Sequence, residues 1–107
     1  MFYGMTFNEF VRQGRGNTIG EAIIAHDDEY SALKFANEQW QVENPNDGES
    51  LACRLLVVVD QASKRIAYFQ FSDFETCNKF SQTHDEILWT TDNEYRKWNG
   101  NIHLMKY

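Results

Sequence analysis

Five consecutive apolar residues, Leu55 to Val59, constrain the fold of this chain more than any other feature. β-branched valines favour extended backbone, and a run that does not alternate has no face to give to water. The segment is therefore expected as a core strand, covered on both faces or lying mid-sheet. A layer must then be found to cover it within 107 residues, the usual size of one domain. Hydrophobic residues make up 42% and aromatic residues 15% of the chain, enough apolar surface to offset the entropy of ordering it. One α+β domain spanning residues 1–107 is expected.

Helix starts are the next clearest signals. In the pattern Ser/Thr-x-x-Glu, a cap hydroxyl and a carboxylate satisfy two backbone N–H groups that the first helical turn leaves without partners. The pattern occurs at Thr6 with Glu9, Ser72 with Glu75, and Thr91 with Glu94. The first opens a short helix through Phe7, Phe10 and Val11, stopped by Gly14. The second opens a helix that turns Phe74, Cys77 and Phe80 inward. The third opens a last short helix ending at Gly100, or else Asn99-Gly100 turns a hairpin. The longest helix should run from about Asp28 to Glu43, capped by Asp27 or Asp28, with Leu33, Ala36 and Trp40 on one face. Strands are expected at Ile19 to Ala25, Leu51 to Val59, Arg65 to Phe71, Glu86 to Trp89 and Ile102 to Met105, with Asp60 to Lys64 as a hairpin.

From residue 19 to 90 this order reads strand, helix, strand, strand, helix, strand, the order of the ferredoxin-like split βαβ. The expected architecture is an antiparallel or mixed sheet with helices on one face, a ferredoxin-like βαββαβ with a short N-terminal helix and a C-terminal extension. One feature opposes it: that topology puts its second strand at a sheet edge, whereas here the second strand is the most apolar.

Charge and composition narrow the function classes. Sixteen acidic against ten basic residues give a net charge of −6, which opposes direct binding to nucleic-acid phosphates and anionic membranes. A protein partner with a basic surface suits that charge better, and solubility alone accounts for it equally well. The longest apolar run is strand-sized, and the first ten residues lack the basic and apolar regions of a secretory signal, so a cytoplasmic protein is expected. Cys53 and Cys77 are too few for a disulfide framework and form no CxxC pair; both are expected as reduced core residues.

Four features could carry chemistry. His26-Asp27-Asp28 and His84-Asp85-Glu86 each offer an imidazole and two carboxylates, the donors of divalent-metal and proton-relay sites. Adjacent first and fourth strands would put both on one rim; the plainer reading is a helix cap and solvated loop charges. Lys64 to Phe71 resembles the aromatic strand motif of RNA-recognition domains at Lys64, Ala67, Tyr68 and Phe71. Arg65 stands where that motif has glycine and Ile66 where it has an aromatic, so strand packing is the expected role. Gly14 to Gly20 is rich in glycine but lacks the Lys-Ser/Thr ending of a phosphate loop, and reads as a connection. A cysteine nucleophile paired with His26, His84 or His103 finds no motif, and neither a catalytic residue nor a cofactor is expected.

Three tryptophans, five tyrosines and eight phenylalanines exceed what a core of this size easily buries. Exposed aromatics among carboxylates make protein-binding hot spots. Asp27, Asp28, Glu29 and Tyr30 form one such group, and Trp89, Asp92, Glu94, Tyr95 and Trp98 another. The leading reading is a non-enzymatic acidic module that inhibits a partner by occupying its basic, nucleic-acid-binding type of site. In general character the chain is similar to phage- or plasmid-encoded anti-defence proteins, such as anti-CRISPR and anti-restriction inhibitors, some of which mimic nucleic-acid charge. Alternatives are a small metal- or ligand-binding protein using the two histidine-carboxylate clusters, and an immunity-type or oligomerising structural protein.

Overall fold

The computed structural model describes residues 1–14, 24–45 and 54–91, and the backbone of 105–106. Its elements are β1 (Phe2–Thr6), α1 (Phe7–Arg12), α2 (Glu29–Glu43), β2 (Arg54–Asp60), β3 (Arg65–Phe71), α3 (Phe74–Thr83) and β4 (Met105–Lys106). The sheet runs β1-β2-β3-β4, with the first three strands antiparallel and β4 parallel to β3. The fold is α+β.

The apolar run lies mid-sheet and is covered on both faces. Leu56 and Val58 join Ala67, Phe69 and Phe71 of β3 beneath α2 and α3. Val57 and Val59 face the other way, with Met5, Ile66 and Tyr68, against Phe10 of α1. Helices therefore occupy both faces, not one. The short first helix supplies the cover that the second face requires, its Phe10 ring meeting Tyr68 edge-on at 5.7 Å. Burying a valine on each side of one strand contributes about 1.5–3 kcal/mol apiece, which is why this strand organises both layers.

β1 is the element that the sequence pattern did not indicate. Phe2–Thr6 pairs with β2 from Phe2↔Asp60 to Thr6↔Leu56, so β2 has neighbours on both sides. This arrangement is not the split βαβ of a ferredoxin-like sheet: β1 and β2 are adjacent and antiparallel, with no strand between them. The strand expected at 86–89 is also absent, and the chain there makes one isolated bridge, Ile66↔Thr90. Ile24 and Ala25 are not in a strand; the chain next meets the sheet where His26 bridges Phe2 at the outer edge of β1. Residues 19–23, 51–53 and 102–104 of the expected strands lie outside the described residues, as do most of Gly14 to Gly20 and of the helix proposed after Thr91.

The helix-start signals that fall on described residues hold to within one position. Thr6 caps α1, its hydroxyl accepting from the Glu9 N–H at 3.2 Å, and Gly14 follows with a φ of 68° that glycine adopts freely. Asp28 caps α2. α3 starts one residue later than its capping box implied, because the Asp73 carboxylate, not the Ser72 hydroxyl, accepts from the Thr76 N–H at 2.8 Å.

Two contacts hold the helical layer to the sheet. Gly4 lets α2 approach the strand so closely that a Cβ built there would lie 1.7 Å from the Ala32 carbonyl oxygen. Arg54, at the start of β2, is 1% exposed and joins three elements. Its Nη1 donates to the Asn37 carbonyl at 3.1 Å and to Asn37 Oδ1 at 2.9 Å, its Nη2 donates to Gln41 Oε1, and its guanidinium sits 5.3 Å over the Phe74 ring. Asn37 Nδ2 in turn donates to the Phe74 carbonyl at 3.1 Å, linking α2 to α3.

Gly4→Ala is expected to lower unfolding stability by about 3 kcal/mol or more, since the obstacle is backbone and cannot rotate away. A urea titration whose midpoint matched the parent would contradict this close approach. Arg54→Ala should cost about 3 kcal/mol, from a cavity plus polar groups of α2 left without their donor, read from the same titration.

Candidate functional site

The His84-Asp85-Glu86 segment meets the start of α2 through Tyr30, not through strand pairing and not through His26. Tyr30, at the second position of α2, reaches across to the turn that ends α3. Its hydroxyl donates to the carbonyls of Asp85, at 2.7 Å, and His84, at 3.1 Å. The Tyr30 and His84 rings stack with centroids 4.2 Å apart and planes 7° from parallel. His84 can turn back under Tyr30 because it closes α3 in the left-handed conformation, φ 54° and ψ 46°. Glycine or asparagine more often takes that position, so a histidine there carries some backbone strain.

Four carboxylates lie close enough to act on this pair electrostatically, Glu29, Asp85 and Glu86 on Tyr30 and Asp28 on His84. Asp27, Asp28, Asp85 and Glu86 are exposed and Glu29 is half-buried. The Asp28 carboxylate accepts from the Ser31 N–H and the Ser31 hydroxyl, both at 2.7 Å. The backbone bond chiefly, then the hydroxyl, hold Asp28 below its ordinary value of 3.8, with a smaller contribution from the nearby His84. Burial first, and then the charges of Glu29, Asp85 and Glu86, push the Tyr30 hydroxyl above its ordinary value. Asp28 is thus ionised at neutral pH, while Tyr30 keeps its proton and stays a donor.

The His26-Asp27-Asp28 segment divides at the histidine. His26 pairs through its backbone with Phe2, both bonds 2.9 Å, and its ring lies 5.4 Å from Phe35. Its Nε2 is buried with no hydrogen-bond partner among the described residues. Asp27 and Asp28 face solvent instead. Among the described residues no group of three or more His, Cys, Asp or Glu side chains is placed to hold a metal ion.

The remaining candidates are distributed as follows. Trp89 is half-buried, its ring 6.1 Å from Phe2 and 5.6 Å from the Arg65 guanidinium, so it packs across the sheet end. Asp92, Glu94, Tyr95 and Trp98 lie outside the described residues, as do Cys53 and His103. On β3 the positions that resemble the RNA-recognition motif are packed: Ala67 and Phe71 under the helices, Tyr68 under α1. Cys77 is fully buried, and burial pushes its thiol up to about 12, a value at which it is a poor nucleophile. Sequence reasoning named Tyr30 and His84 but missed their stacking. A helix-ending histidine with no nearby glycine was the available signal.

Tyr30→Phe is expected to cost about 1 kcal/mol of stability while leaving the stacked ring in place; equal stability would show that the hydroxyl clamp contributes nothing. Asp28 stabilises the folded state above its unfolded value, and that contribution is lost as pH falls through its lowered folded value. Asp28→Ser keeps a capping oxygen without the titration, so stability should fall less steeply than in the parent as pH drops below about 4. Circular dichroism melts across that range measure the slope.

Comparison of the chain with protein-family models, with curated proteins and with solved structures gives no match.

Proposed function

We propose that this protein is a non-enzymatic, acidic protein-binding module that occupies a basic, nucleic-acid-binding type of site on its partner. One observation carries the reading. The Tyr30 clamp brings Asp28 and Glu29 at the start of α2 and Asp85 and Glu86 after α3 near one stacked aromatic pair, and Asp27 is exposed beside Asp28 in sequence. Such a surface offers a cationic partner several carboxylates for its Lys and Arg side chains and a ring face for a guanidinium. The overall charge of −6 adds long-range attraction toward a basic partner.

This reading places the protein with inhibitors that stand in for nucleic acid, the anti-CRISPR and anti-restriction type, through the chemistry of this surface alone. The Asp28 carboxylate, held by two hydrogen bonds at the start of α2, presents a fixed negative charge, as a phosphate does, without requiring a catalytic group.

The test is binding of the purified protein to a panel of basic nucleic-acid-binding proteins, including DNA-cleaving effectors. Binding should weaken at least tenfold between about 50 and 300 mM salt, and a nucleic-acid ligand of the partner should compete. A variant carrying Asp27→Asn, Asp28→Ser, Asp85→Asn and Glu86→Gln should fold, retain its helix cap and lose most of the affinity. Salt-insensitive binding, or full affinity in the folded variant, would overturn the proposal.

A further inference from the structure

We draw no further inference here: the strongest candidate, the carboxylates near the stacked Tyr30 and His84 rings between the start of α2 and the end of α3, belongs to the site already described, and nothing in the structure beyond its own hydrogen bonds points to a ligand of narrower chemistry.

Discussion

A strand that is apolar on both faces cannot sit at the surface of a sheet, and β2 imposes that condition on everything around it. It needs a strand on each side for its backbone groups and a layer above and below for its side chains. β1 and β3 satisfy the first requirement, and α2 with α3 on one face and α1 on the other satisfy the second. The two faces are unequal. Under α2 and α3 lies an aromatic cluster in which Phe80 meets Phe69 and Phe71 edge-on at 5.9 and 5.6 Å, whereas the opposite face is closed by the six-residue α1 and its Phe10.

The larger layer is held by polar as well as apolar contacts. Arg54 enters the core from the first residue of β2, where its charge meets oxygens of Asn37 and Gln41 and the face of Phe74. Direction is what these bonds add to burial: a greasy helix could slide along the sheet, but a guanidinium bonded at several points fixes its position. Gly4 fixes the separation, since only a residue without a side chain admits the Ala32 backbone so closely.

The candidate site follows from that placement. An acidic residue, Asp28, caps the exposed start of α2, where unpaired N–H groups and the helix dipole favour negative charge. Packing α2 beside α3 over one sheet face brings the start of one near the end of the other. Tyr30 then bonds the two together through the carbonyls of the turn at His84 and Asp85. By this juxtaposition Asp28, Glu29, Asp85 and Glu86 come near one stacked aromatic pair.

Much of this was legible residue by residue. Hydrophobic periodicity placed Leu33, Ala36 and Trp40 in the core, capping residues marked the start of each described helix to within one position, and the apolar run marked the central strand. These are short-range effects of backbone hydrogen bonding and side-chain burial, which a linear pattern records. β1 escaped because Phe2–Thr6 carries a glycine and a threonine cap, and nothing local shows that its value lies in pairing with β2. The ferredoxin-like order failed for the same reason: strand adjacency is a long-range choice, and here β1 took the place beside β2. Likewise the sequence determined that Asp27, Asp28, Glu29, Asp85 and Glu86 would be charged and near helix ends. Only the tertiary structure decided that His26 would turn inward to Phe35 while Tyr30 crossed to His84, because a contact across 54 residues is decided by how the helices pack, and no local propensity encodes it.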